Sequence, residues 1–66
     1  MPTLKELRRE RFLSQEDLAK ESGVAAVTVN RLENGKQQPT FKTIRRLAAA
    51  LKVEPGRIDF SNAKGG

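Results

Sequence analysis

The sequence predicts an all-α fold, a compact domain of five short helices, and three observations lead to it. The chain has 66 residues and no cysteine, so it can form one small domain that depends on a single apolar core. Apolar residues recur at helical spacing, most regularly over residues 41–51. Helix-start signals precede several of these segments. We therefore expect one domain over residues 1–60 and a flexible tail over residues 61–66.

The first helix is predicted over residues 4–12. Thr3 and Glu6 have the spacing of a capping box, in which each side chain satisfies a free backbone N–H of the first turn. Leu4 and Leu7 then fall on one face of the helix.

The second helix is predicted over residues 15–22, because Ser14 and Asp17 repeat the start signal with a weaker partner. Acidic residues in its first turn suit the helix dipole. Gly23 is well placed to take the left-handed conformation that ends a helix.

The third segment has two interpretations. A short apolar run followed by Asn34 and Gly35 is typical of a strand that enters a hairpin. However, the alternation stops after Val29, and no returning strand follows. Because Val29 and Leu32 have helical spacing, we predict a third helix over residues 26–34.

The fourth helix has the strongest periodicity in the chain and is predicted over residues 41–51. Its apolar face is formed by Phe41, Ile44, Leu47, Ala48 and Leu51. A short fifth helix is predicted to start at Glu54 and Pro55, with Ile58 directed at the core. Gly56 weakens this last element.

The net charge of +5 lies entirely in the middle of the chain. Residues 22–52 hold six basic residues and only Glu33 as an acidic one, whereas the segments on either side are each neutral. A charged surface is often only a solvated one, but positive charge concentrated in one segment indicates an anionic polymer as the partner.

The residue inventory excludes most catalytic chemistry. The chain contains neither His nor Cys, so the commonest general base, the strongest side-chain nucleophile and the usual zinc ligands are all absent. We expect no enzyme activity, no metal, no cofactor and no small-molecule ligand. No run approaches the roughly 20 apolar residues of a membrane span, so a cytoplasmic, nucleoid-associated protein is expected.

Six segments of the chain together match the pattern of a known family: residues 7–8, 13–19, 23–24, 31–36, 39–40 and 47–53. Through these segments, the chain resembles the Cro/repressor-type (Xre family) helix-turn-helix regulators of bacteria and phages from residue 4 to about residue 60. The resemblance implies a five-helix, lambda-repressor-like DNA-binding domain with a helix-turn-helix at about residues 15–34. The third helix would then enter the major groove of double-stranded DNA.

The resemblance also assigns roles to individual residues. Residues at the positions that hold the DNA backbone are Gln15, Asn34, Lys36, Thr40 and Phe41. Each has a structural alternative: Gln15 as a helix starter, Asn34 as a helix cap, Lys36 as a solvated side chain. Arg8 and Glu33 match a buried ion pair that joins the first and third helices, which is a structural role.

The base-reading face of the third helix departs from the family pattern. Its outward residues are Ala26, Val27, Thr28, Asn30 and Arg31. Ala26 and Val27 have no hydrogen-bonding group and can contact only thymine methyls, so hydrogen-bonded reading would depend on Asn30 and Arg31. At Ala25, many relatives carry Ser or Thr as a cap, whose loss should cost about 1 kcal/mol.

The expected function is a DNA-binding transcriptional regulator, most simply a repressor that occupies its operator as a homodimer. We expect the dimer surface around Ile58 and Phe60, and we expect Phe12 to fold back over Leu13 unless it contacts a partner. Two alternatives stay open. One is a protein-interaction or antitoxin-like adaptor module, and the other is a weakly specific nucleic-acid binder.

Overall fold

The computed structural model describes residues 1–60, and helices make up most of this part of the chain. The four α-helices are α1 (Leu4–Glu10), α2 (Gln15–Ser22), α3 (Ala26–Glu33) and α4 (Phe41–Leu51). A 3₁₀ turn follows at Pro55–Arg57. Helix α2 packs against both α3 and α4, and α1 packs against α3. The all-α prediction is confirmed, while the predicted tail lies outside the described residues.

The prediction of five helices is wrong, because four α-helices are present within residues 1–60. The expected fifth helix is the three-residue 3₁₀ turn, which has Pro55 at its first position as predicted. Gly56 occupies its centre, and glycine is a poor helix former. Three residues are also too few to repay the cost of starting an α-helix.

Both predicted capping boxes are formed. The hydroxyl of Thr3 accepts from the backbone N–H of Glu6 at 3.2 Å, and the carboxylate of Glu6 accepts from the N–H of Thr3 at 2.8 Å. The corresponding distances between Ser14 and Asp17 are 2.9 and 3.1 Å. These bonds satisfy orphan N–H groups and fix where α1 and α2 begin.

One apolar core lies between the helices and the C-terminal turn. Its buried members are Leu4, Leu7, Leu18, Val24, Val29, Leu32, Leu47, Ala48, Leu51 and Ile58. Ile58 reaches this core because the backbone N–H of Asp59 donates to the carbonyl of Pro2 at 2.8 Å. The two ends of the domain are thereby tied together, and the segment after α4 covers the core although it is not an α-helix.

Two phenylalanines do not pack as expected. Phe12 does not fold back over Leu13: it is 94% exposed, and its backbone is left-handed with φ of 57°. That conformation ends α1 at Glu10, two residues before the predicted end. Phe41 is 84% exposed, so the apolar face of α4 begins at the half-buried Ile44.

The helices are all short. The longest, α4, has 11 residues. Within residues 1–60, no helix combines the length and hydrophobicity that crossing a bilayer requires.

Candidate nucleic-acid interface

Helices α2 and α3 are joined by a three-residue turn. Gly23 ends α2 in the predicted left-handed conformation, with φ of 78°, and its N–H donates to the carbonyl of Ala19 at 2.9 Å. Val24 is buried in the core, and its N–H donates to the hydroxyl of Ser22 at 3.2 Å. This turn lets two short helices pack against each other while leaving one face of α3 exposed.

Helix α3 starts without a side-chain cap. Ala25 is the N-cap residue and provides no hydrogen-bonding side chain, as predicted. Val29, Leu32 and Glu33 are the buried residues of the helix, so packing rather than capping holds it in place.

Arg8 and Glu33 join α1 to α3. The guanidinium Nε lies 2.6 Å from Oε2 of Glu33, and Nη2 lies 3.1 Å from Oε1. The third guanidinium nitrogen, Nη1, donates to the carbonyl of Leu13 at 2.8 Å. The two side chains are only 11% and 2% exposed, so this pair is part of the framework that holds α3.

The same carboxylate begins a chain of amide hydrogen bonds, formed by Gln15, Asn30 and Asn34, which we call the amide chain. Nε2 of Gln15 donates to Oε1 of Glu33 at 3.0 Å. Nδ2 of Asn30 donates to Oε1 of Gln15 at 3.2 Å. Nδ2 of Asn34 then donates to Oδ1 of Asn30 at 3.3 Å and to its backbone carbonyl at 2.9 Å. The amide chain links the N-terminus of α2 to the C-terminal half of α3.

The direction of the amide chain follows from the charge of Glu33. An ionised carboxylate only accepts hydrogen bonds, so Gln15 must present its NH₂ group to Glu33 and its oxygen outward. Asn30 must then present its NH₂ group to Gln15, which leaves its oxygen for Asn34. One buried charge therefore sets the orientation of each amide.

This order limits what Asn30 can offer to a base. Bidentate pairing of an asparagine with adenine needs both the amide NH₂ and the amide oxygen. In this structure each of these groups already has a partner. Asn30 retains one N–H and one lone pair, although it is exposed on the outward face of α3.

Arg31 differs from its neighbours on the outward face. It is exposed, and its side chain forms no hydrogen bond or ion pair with any residue between 1 and 60. Val27 is 55% exposed, whereas Ala26 and Thr28 are half-buried. The guanidinium of Arg31 is therefore the longest and least constrained polar group of this face.

The other predicted backbone-contact residues lie beyond α3. Lys36 is exposed, and its backbone N–H closes the end of α3 on the carbonyl of Arg31 at 2.9 Å. Thr40 caps α4 by accepting from the N–H of Thr43 at 3.2 Å. Phe41 is the first residue of α4, where backbone N–H groups have no partner within the helix. These three residues take no part in the amide chain.

Sequence reasoning did not find the amide chain. Gln15 and Asn30 are 15 residues apart, and only the crossing of α2 over α3 brings their amides together. The only sign of this contact in the sequence is that both positions hold amide side chains. Within residues 1–60, no cluster of carboxylates suited to a metal ion is found.

The geometry described above is that of a small helix-turn-helix domain, with α2 and α3 as its two helices. A family model described as "Helix-turn-helix" matches residues 4–58, and the chain belongs to this family. The resemblance inferred from the sequence segments is thereby confirmed.

Among curated proteins, the chain is similar to two from Bacillus subtilis strain 168. The "Uncharacterized HTH-type transcriptional regulator RghRB" is 49% identical over 51 residues, which cover 76% of this chain and 37% of that protein. The "HTH-type transcriptional repressor RghR" is 49% identical over 51 residues, covering 76% of this chain and 38% of the relative. The chain thus spans less than two-fifths of the length of these relatives.

A phage protein is also similar. The "ImmF control region 10 kDa protein" of Bacillus phage phi105 is 31% identical over 51 residues, which cover 77% of this chain and 57% of that protein. No solved structure matches the chain.

Proposed function

We propose that this chain is the double-stranded-DNA-binding domain of a transcriptional regulator, and that it represses by occupying its operator without enzymatic activity. The observation that carries the proposal is that, within residues 1–60, α3 is firmly held on its inner side and exposes a free arginine on its outer side. The helix is held from behind by the buried Arg8–Glu33 pair, while Arg31 on its outward face is exposed and unbonded. The names of the relatives support a regulator, and one of them is named a repressor.

In this proposal α3 lies in the major groove and Arg31 is the principal base-reading residue. A guanidinium pairs with O6 and N7 of guanine through two parallel hydrogen bonds, the commonest specific contact in protein–DNA complexes. Ala26 and Val27 contact thymine methyl groups, and the hydroxyl of Thr28 is available to either kind of base pair. Sequence preference then depends mainly on one hydrogen-bonded guanine, while the apolar contacts discriminate weakly between bases.

Asn30 lies on the outward face of α3, where a base-reading role is expected, but we assign it a positioning role. Because its amide is bonded to both Gln15 and Asn34, we infer that the principal role of Asn30 is to position the amide chain, and that reading a base is secondary. The remaining N–H of Gln15 is then held in a fixed orientation at the N-terminus of α2, where a phosphate is favoured.

The remaining contacts hold the DNA backbone. We assign phosphate contacts to Gln15 and Lys36, together with the main-chain N–H groups at Thr40 and Phe41. The amide nitrogen of Asn34 donates twice to Asn30 and leaves only an acceptor oxygen, so we assign Asn34 to the end of α3 and not to a phosphate. Helix N-termini favour anions because their N–H groups are free and the helix dipole is positive there. Such contacts fix the register of α3 on the duplex and carry no sequence information themselves.

We propose that two copies bind two half-sites about 34 Å apart, as helix-turn-helix dimers do. Ile58 is only 4% exposed and belongs to the core of one copy, so it is not available to a partner. Phe60 is half-buried against the same core and retains some exposed surface. A dimer surface at this end therefore depends on Phe60 and not on Ile58. The site of action is the nucleoid in the cytoplasm.

The protein-interaction alternative has one observation in its favour. The first turn of α3 presents the apolar side chains of Ala26 and Val27, and Val27 is 55% exposed. Such a surface suits contact with a protein as well as contact with thymine methyls. Weakly specific binding to nucleic acid is a third candidate function, and the experiment must distinguish it from the other two.

Selection of bound sequences from a random pool of DNA duplexes tests the proposal. We expect enrichment of a two-fold symmetric sequence that contains a guanine at one fixed position of each half-site. Retention of DNA without enrichment would favour the weakly specific binder. No retention of DNA at low salt would contradict the proposal and favour the adaptor.

A further inference from the structure

A group of basic side chains on α4 has no part in the interface described above. Lys42, Arg45 and Arg46 are all exposed, and α4 contains no acidic residue. Between residues 1 and 60, none of the three forms an ion pair or a side-chain hydrogen bond. We call these three residues the α4 basic surface.

The three side chains share one face of the helix. Positions three and four apart on a helix are neighbours, so Arg45 and Arg46 both lie one turn beyond Lys42. Like charges at this spacing repel one another and weaken the helix. The arrangement therefore opposes the stability of α4 and favours an anion from outside the chain.

The helix dipole adds to the same field. Basic side chains are unfavourable near the positive N-terminal end of a helix. Helix α1 has Glu6 in its first turn, and α2 has Glu16 and Asp17. Helix α4 has no acidic residue there and has Lys42 instead. At the N-terminal end of α4, the side-chain charge and the end of the helix dipole are thus both positive.

The α4 basic surface also accounts for much of the excess positive charge of residues 22–52. Around α3 the excess rests on Arg31 and Lys36, since Glu33 is paired with Arg8. The α4 basic surface contributes three further charges without any acidic neighbour on the helix. Within residues 22–52, more of the unpaired positive charge therefore lies on α4 than around the proposed reading helix α3.

The α4 basic surface lies close to the proposed phosphate contact at Thr40. A helix rises 1.5 Å per residue, so the surface lies within about 9 Å of Thr40 along the axis. This is close to the Debye length of about 8 Å at physiological salt, so the charges act together with the N-terminus of α4. Lys52, about 18 Å from Thr40, lies outside that range.

We propose that Lys42, Arg45 and Arg46 bind backbone phosphates of duplex DNA and extend the contact that begins at Thr40 and Phe41. The inference rests on the proposed function. DNA is favoured over an acidic protein because the surface continues directly from N–H donors suited to phosphate.

The test replaces all three residues by glutamine and measures binding to a duplex of random sequence, about 30 base pairs long. The affinity is measured by fluorescence anisotropy over a range of salt concentrations. Each phosphate contact contributes about 0.9 to the slope of log K against log salt. We expect the triple variant to lose about 2–3 from the slope. Its thermal unfolding midpoint should be unchanged or higher, because repulsion within α4 is relieved.

The matched control replaces Lys5, Arg9 and Arg11 by glutamine. These residues are exposed and basic, and their replacement lowers the net charge by the same amount. We expect the control to lose less than about 1 from the slope.

Equal losses of slope in the two triple variants would overturn the inference, because the effect would then be one of net charge. A parental slope in the α4 variant would also overturn it, because the three side chains would then make no phosphate contacts. If the parent chain did not bind the duplex at low salt, the proposed function itself would fail together with the inference.

Discussion

The side-chain nitrogen Nδ2 of Asn30 donates to Oε1 of Gln15 at 3.2 Å, and this contact connects the start of α2 to the outward face of α3. The bond exists because Glu33 turns the NH₂ group of Gln15 inward, at 3.0 Å, and leaves its oxygen free. The position of Asn30 on α3 suggests that it reads a base, but its amide is already hydrogen-bonded to other side chains of the protein.

Replacing Asn30 by alanine should therefore weaken DNA binding without changing sequence preference. Loss of one hydrogen bond that positions Gln15 corresponds to about 1 kcal/mol, or about a fivefold loss of affinity on every duplex. Affinities are measured for a selected duplex and for variants of it with single base changes.

A double-mutant cycle separates positioning from direct reading. If Asn30 acts through Gln15, the double variant Asn30→Ala, Gln15→Ala should bind about as well as Gln15→Ala alone. A loss confined to duplexes with adenine at one position would instead make Asn30 a base reader and contradict the positioning role.

Replacing Phe12 by glycine should stabilise the domain. Phe12 is left-handed with φ of 57°, which costs a non-glycine residue roughly 1–2 kcal/mol, and its side chain is 94% exposed. After the entropy that glycine adds to the unfolded chain, a gain of about 0.5–1 kcal/mol remains. Chemical denaturation measures the difference.

Gly23→Ala is the matched control for the effect of backbone conformation. A Cβ at Gly23 would meet no atom within 4 Å, and φ is 78°, so only the backbone penalty acts. We expect a loss of about 1 kcal/mol. If Phe12→Gly destabilised the domain instead, the Phe12 ring would have to make contacts that its exposure does not show.

Ala25→Ser should also raise stability, because α3 begins with no side-chain cap. A serine hydroxyl at this position can accept from a free N–H of the first turn of α3, which is worth about 0.5–2 kcal/mol. The free energy of unfolding of Ala25→Ser is compared with that of the parent chain. Equal values for the two proteins would show that the cap is not formed.

The stability of the domain should fall in acid partly through Asp17. The backbone N–H of Ser14, and secondly its side chain, lower the pKa of Asp17 from its ordinary value of 3.8. A carboxyl group with a lowered pKa stabilises the folded state when ionised, so its contribution is present above the unfolded-state pKa. It is lost as the pH falls below 3.8 toward the folded-state value.

The measurement compares the unfolding midpoint of the parent with that of Asp17→Asn as a function of pH. The difference between them should be largest above about pH 5 and should shrink in acid. Parallel curves for the two proteins would contradict the role of Asp17.

The local elements of this fold could be predicted because their signals are close together in the chain. The reciprocal bonds of Thr3 with Glu6 and the left-handed Gly23 depend on residues within one or two turns. The alternative of a strand at α3 is wrong, because Val29 and Leu32 have helical spacing and both are buried.

The features that were not predicted depend on how the helices meet. Periodicity includes Phe41 in the apolar face of α4, but the core ends before it and leaves Phe41 84% exposed. The segment after α4 was expected to be helical, yet Gly56 and the bond between Asp59 and Pro2 favour a short turn. The amide chain likewise depends on the crossing of α2 over α3.

The most direct test of the account is the effect of Arg31→Ala on binding to a selected duplex and to the same duplex changed at one base pair at a time. We predict a loss of about 1–3 kcal/mol on the selected duplex, with preference relaxed at a single guanine position. Lys36→Ala, the matched removal of an exposed charge, should weaken binding to all of these duplexes alike. An equal loss for Arg31→Ala on every duplex would make Arg31 a phosphate contact and contradict the claim that it reads the sequence.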